Sequence, residues 1–195
     1  MVPFFAAPHE RRAAPINSLP PPPGPPQVIR NTTVLWRNIA IGSSTYGNVT
    51  DVLVEGGRIG ADVDALPTPW AIKIKTHTPL GGVVRNVTFR GTQLGTIDGT
   101  AIDVLLEPYN NPAFPPRSPT PAASSFSGIS LLDVHVLRAR AAGNLRAVRP
   151  FFIHQLALSN VSFASVPNSS ATWSCARLAG TVAEGVTPPL PAACF

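Results

Sequence analysis

Two lysines at positions 73 and 75, the only lysines in the chain, are the first candidates for chemistry. They lie in Ala71-Ile72-Lys73-Ile74-Lys75-Thr76, a β-branched run that reads as a strand. On a strand, residues i and i+2 face the same side. Lys73 and Lys75 therefore put two cations on one face, and His77 continues that face. Such a face suits an anionic polymer, and it equally describes a solvated strand surface. The other histidines, His9, His135 and His154, show no spacing that would ligate a metal. No phosphate-cradling loop, Cys-x-x-Cys pair or Ser-His-Asp arrangement is visible, so no cofactor and no metal are expected.

The elements that must hold this face are short strands. Hydrophobic residues make up 44% of the 195-residue chain and charged residues 13%, enough to bury a core. No apolar run approaches the ~20 residues of a membrane-spanning helix, and no membrane partner is expected. The net charge is +5, carried mostly by scattered arginines. There is no basic run and no interleaving of aromatics with arginine, which argues against a nucleic-acid partner.

Prolines break the chain in two places. Residues 1 to about 30 contain nine, including Pro20-Pro21-Pro22-Pro23, and residues 1–33 are expected to be a disordered segment outside the domain. Residues 110–127 hold five more and read as a surface excursion, and residues 144–150 read as a smaller break. Between the breaks a weak repeat recurs. Asp51-Val52-Leu53-Val54, Asn86-Val87-Thr88-Phe89, Asp133-Val134-His135-Val136 and Asn160-Val161-Ser162-Phe163 share Asn or Asp, an apolar residue, any residue, then an apolar residue. The stretch 47–60 overlays 82–95. Short strands repeating with Asn or Asp at one edge suggest stacked coils, with a β-sandwich as the alternative. The expected fold is all-β, a right-handed parallel β-helix over residues 34–195.

Cys175 and Cys194 could close one short disulfide loop. Asn31, Asn48, Asn86, Asn160 and Asn168 each begin an Asn-x-Ser/Thr glycosylation triplet, which favours a secreted or wall-facing protein.

The residues taken together resemble glycoside hydrolase family 28, the polygalacturonases and related pectin-cleaving enzymes. Ile39-Ala40-Ile41-Gly42-Ser43 is similar to one family coil. Ala71 to Thr76 with Gly81-Gly82-Val83-Val84-Arg85-Asn86-Val87-Thr88-Phe89 is similar to the family's Gly-Ile-Arg-Ile-Lys-Thr segment and the strand after it. Ala101 to Tyr109 resembles the following strand, and Trp173-Ser174-Cys175 through Cys194 resembles a plant-type end with its disulfide. The resemblance implies a groove for an anionic pectic chain, galacturonan or a relative, with Lys73 and Lys75 contacting its carboxylates. Tyr109 lies near the groove, His77 is a further candidate, and Arg37 stands where many members carry a histidine. The family's catalytic aspartates precede the Ile-x-Ile-Gly-Ser coil. Here that region is proline-rich, and its only carboxylate is Glu10. No catalytic residue is therefore assigned. The resemblance therefore implies a monomeric polygalacturonase-like glycoside hydrolase whose aspartate-bearing portion is missing, inactive as it stands; the alternative is a non-catalytic pectin-binding β-helix protein or remnant.

Overall fold

The structure is a computed structural model that describes residues 25–35, 38–42, 45, 47–60, 68–80, 82–108, 124–166 and 173–195. Residues 110–123 of the break expected at 110–127, and the site candidates Arg37, Tyr109 and Asn168, lie outside them. The described residues contain no α-helix. Runs of valine, isoleucine and threonine form strands in which one side is buried and the next exposed, the pattern of a sheet with one face on a core. In chain order these are β1 (Gln27–Arg30), β2 (Thr33–Val34), β3 (Ile39–Gly42), β4 (Asn48–Glu55), β5 (Arg58–Ile59), β6 (Trp70–His77), β7 (Val83–Glu107), β8 (Ser125–Ala147), β9 (Ile153–Ser165), β10 (Trp173–Ala176), β11 (Leu178–Ala179) and β12 (Val182–Glu184). Single 3-10 turns occupy Thr78–Leu80 and Ala192–Cys194.

Every strand pairing among the described residues is parallel. This departs from an immunoglobulin-type sandwich, whose sheets are antiparallel. The pairings fall into three rows. The first holds β1, β4, the starts of β7, β8 and β9, and then β11 and β12. The second holds β2, β5 and the middle of β7, continuing into β8 and β9. The third holds β3, β6, the ends of β7 and β8, and β10. The long strands β7 and β8 thus pass through all three rows.

In-register stacking lines up inward side chains as columns. Val54, Phe89, Leu131 and Leu158 form one column of the first row. Ile59, Leu94, Val136 and Phe163 form the second-row column. Ile74, Val104 and Leu145 lead in the third row to Cys175. These residues make up one continuous buried cluster, with Cys175 packed against it. Burying each large aliphatic side chain contributes about 1.5–3 kcal/mol.

Two columns of left-handed backbone bend the chain, one inside the first row and one between the first and second rows. Asp51, Asn86, Gly128, Gln155 and Gly180 occupy one, with φ between 54° and 69°. Asn31, Gly56, Gly91, Asp133, Asn160 and Gly185 occupy the other, with φ between 47° and 63°. Asparagine, aspartate and glycine tolerate this region best. Asn86 Nδ2 donates to Asp51 Oδ1 at 3.0 Å, and Asn160 Nδ2 donates to Asp133 Oδ1 at 2.8 Å, so each turn is tied to the next rung. The hydrogen bond from Asn86 is the main reason the Asp51 carboxyl is held below its ordinary pKa.

This geometry corrects the fourfold repeat read from sequence. The 35-residue step from Asp51 to Asn86 and the 27-residue step from Asp133 to Asn160 are true rungs, as is the overlay of 47–60 on 82–95. The step from Asn86 to Asp133 is not. Register sets Gly128 beside Asn86, and Gly91 beside Asp133. Both columns select the same residue types, so two different corners produced one motif. The proline-rich segment is also shorter than expected, because β1 and β2 pair with β4 and β5 from Gln27 onward. The start of β8, placed in the excursion, is core: Phe126 is fully buried. The break expected at 144–150 begins late, since β8 runs to Ala147.

At the far end, Cys175 and Cys194 form a disulfide and hold the final turn against the third row. A disulfide here fits an oxidising compartment. The Trp173 indole N–H donates to the Pro188 carbonyl at 3.0 Å, and its ring meets Phe163 edge-on at 5.9 Å. Trp173 fits only because the residue stacked beside it is glycine. A Cβ on Gly143 would lie 2.3 Å from Trp173 Cζ3 and 2.9 Å from the Ile102 carbonyl oxygen. Gly143→Ala should therefore destabilise the domain by about 1–3 kcal/mol, the usual result of overpacking. Thermal unfolding followed by circular dichroism measures this, and an unchanged Tm would contradict the packing described here.

Candidate functional site

Strand β6 alternates as the sequence predicts. Ile72, Ile74 and Thr76 are buried, whereas Lys73, Lys75 and His77 lie half-exposed on the opposite face. The parallel ladder sets two further strands beside them. Lys73 is in register with Asp103, Lys75 with Leu105 and His77 with Glu107 on β7. On β8, Asn144 follows Asp103 and Arg146 follows Leu105. The outward face of the third row is thus a mixed cluster of lysine, arginine, histidine and carboxylate.

Sequence periodicity found one strand of this cluster and missed the others. Asp103, Glu107, Asn144 and Arg146 are 28 to 73 residues away in sequence from Lys73 or Lys75, and only strand register joins them. Trp70 was also missed as a site residue. It is 39% exposed, and Lys73 Nζ sits 3.4 Å from the ring centroid, a cation–π contact.

The charges on this face are largely engaged. Lys75 Nζ lies 2.7 Å from Glu107 Oε2, and Arg146 Nη2 lies 3.7 Å from Glu107 Oε1. Burial alone would raise the Glu107 pKa. The Lys75 ammonium, helped by Arg146 and His77, outweighs that effect and holds the carboxyl below its ordinary value. His77 Nδ1 is 3.1 Å from the Pro108 carbonyl oxygen. Asp103 is only 2% exposed and accepts a 2.9 Å hydrogen bond from Asn144 Nδ2. Burial raises its pKa, with the Asn144 hydrogen bond and Lys73 opposing. Burial likewise lowers the Lys73 pKa, against the pull of Asp103.

This arrangement can hold an anion through Lys73 and Lys75 and offer Trp70 as a flat apolar platform. It does not supply an acid and a base. Inverting glycoside hydrolysis sets two carboxyls roughly 6.5–9.5 Å apart, astride the bond, with water between. Of the two carboxylates on this face, Asp103 is closed off from solvent and Glu107 is bridged to Lys75. Elsewhere, Asp51 and Asp133 serve the turns, Asp98 Oδ2 accepts from the Thr68 N–H at 3.2 Å, and Glu55 is clasped between Arg30 and Arg90. No group of three His, Cys, Asp or Glu side chains among the described residues could hold a metal ion. The glycosylation candidates Asn31, Asn48, Asn86 and Asn160 are all exposed, but the amides of Asn86 and Asn160 are already committed to Asp51 and Asp133.

Burial of Asp103 has a stability consequence. A carboxyl whose folded pKa is raised contributes fully below its unfolded pKa, and that contribution is lost as pH rises through the folded value. Asp103→Asn removes the penalty, and its amide oxygen can still accept from Asn144. At pH 7 the variant should melt about 2–4 °C higher, the shift that ~1 kcal/mol produces in a domain of this size. The gain should shrink as pH falls from the raised folded value towards the ordinary aspartate value, and vanish below it. A variant that melts lower than the parent at pH 7 would show that the carboxylate is stabilising. Compared with known proteins, the chain matches no family model and no curated protein.

Proposed function

We propose that the three rows are the faces of a right-handed parallel β-helix of the polygalacturonase type, and that this chain holds an anionic pectic polysaccharide along its third row without cutting it. Three parallel rows, visited in turn, with a column of left-handed backbone at the bend from the first to the second, support the solenoid reading. The observation that carries the functional reading is the outward face of β6. There two lysines and a histidine share one side of the strand, Lys73 sits over an exposed tryptophan, and the nearby carboxylates are already paired or buried.

A galacturonan-like chain carries a carboxylate on each sugar and an apolar face on each ring. Lys73 and Lys75 answer the first feature, and Trp70 answers the second. Lysine lacks the bidentate fork of arginine, so Lys73 gives a point-charge contact without fixed geometry. Lys75 binds by sharing its charge between Glu107 and the ligand. Binding of this kind holds ground state and transition state alike and does not accelerate a reaction. The disulfide and the exposed triplet asparagines Asn31 and Asn48 are consistent with secretion to a cell wall.

The double variant Lys73→Ala/Lys75→Ala should leave a pectate column at lower salt than the parent, with a flatter dependence of retention on ionic strength. A control that loses two cations elsewhere, Arg85→Ala/Arg140→Ala, should change far less. Equal retention of parent and Lys73→Ala/Lys75→Ala, both shown to be folded by circular dichroism, would remove the groove assignment.

A separate outcome concerns catalysis. Incubated with polygalacturonate, the chain should release no reducing ends above a protein-free blank. Turnover abolished by replacing Asp103 or Glu107 would overturn the non-catalytic reading.

A further inference from the structure

A groove of about 480 Å³ lies over the second row, away from Lys73 and Lys75. One wall is a column of polar side chains, one from each rung: Arg58, Gln93, His135 and Ser162. They point outward because Ile59, Leu94, Val136 and Phe163, their immediate neighbours in the chain, are buried. The other wall is low, with Gly95 and Ala164 on either side of Leu137. His135 Nδ1 lies 2.8 Å from Ser162 Oγ, which ties the imidazole to the next rung.

We propose that this groove is a second binding site, for a stretch of acidic polysaccharide lying across the rungs. Rungs of a sheet are about 4.8 Å apart, so four of them spread the polar groups over about 14 Å. A compact anion such as phosphate cannot touch all four, whereas an extended chain of hydroxyl-bearing rings meets one hydrogen-bonding group per rung. The Arg58 guanidinium selects a ligand that carries carboxylate. The groove is open and shallow, as a polymer with two continuing ends requires. Its lining offers no exposed aromatic platform for nucleobases, since Phe163 is 9% exposed. The choice of a uronate-bearing chain rests on the function proposed above; the groove and its row of partners do not.

Affinity electrophoresis through gels containing polygalacturonate tests the two sites separately. Four proteins are compared: the parent, Lys73→Ala/Lys75→Ala, Arg58→Ala/His135→Ala, and the combination of all four changes. Arg58→Ala/His135→Ala should weaken retardation about three- to tenfold in apparent Kd, the loss expected when a charged hydrogen bond and its neighbour go. It should do so in either background, with no change in gels containing a neutral glucan. If Lys73→Ala/Lys75→Ala migrates like the parent while Arg58→Ala/His135→Ala does not, the third-row reading fails and this one stands. Parent-like migration of Arg58→Ala/His135→Ala, with a cooperative melt at the parent Tm, overturns the second site. Release from the gel by inorganic phosphate as effective as by oligogalacturonate at equal charge also overturns the extended-chain occupant. Should the double variant fail to melt cooperatively, Gln93→Ala and Ser162→Ala carry the same test, each with a smaller loss expected.

Discussion

Parallel backbone pairing in strict register is the constraint from which the other features follow. A parallel ladder satisfies the peptide groups of one rung with those of the next, and it forces each side chain to lie beside its counterpart one rung away. Inward, like meets like: Ile72 beside Ile102, and Val52 beside Val87 and then Ile129. Outward, the same rule sets unlike charges side by side, as with Lys73 and Asp103. Core and surface clusters are two consequences of one register.

That register needs corners, and the corners need backbone that most residues avoid. Two columns of left-handed positions, filled by asparagine, aspartate and glycine with Gln155 as an exception, bend the chain, one within the first row and one between the first and second rows. Where an asparagine follows an aspartate up the stack, the side chains add a hydrogen bond between rungs. Glu55, clasped by Arg30 and Arg90 from the rungs on either side, does the same with charge. Exposed ion pairs contribute little individually, so the corners rely on backbone conformation more than on these links. The Cys175–Cys194 disulfide ends the stack by pinning the closing turn to the third row.

The outer face of each row then carries one side chain per rung, and over the second row these line a groove. The polymer binding proposed above draws on that recurrence. The same register explains why the lysines of β6 are only partly available. Their cross-rung neighbours Asp103 and Glu107 draw on the same charge, and burial weakens the ionised forms of Lys73 and Asp103. A ligand at Lys75 competes with a carboxylate already in place.

Much of this was legible in the residues themselves. Alternation in 71–77 placed Lys73, Lys75 and His77 on one face, and the valine- and isoleucine-rich runs indicated an all-β chain, because strand periodicity is a local property. The 35-residue and 27-residue steps were readable as well, since each joins strands with matching corner and core residues. Register across the longest gap was not. Two corners demand the same residue types, so composition could not distinguish Asp133 from Gly128 as the counterpart of Asn86. The company kept by Lys75 was equally hidden, because Glu107 and Arg146 arrive from strands whose distance in sequence carries no spacing rule. Local chemistry decided which way each side chain faces; the stacking of rungs, a long-range choice made by backbone pairing and core fit together, decided what each one meets.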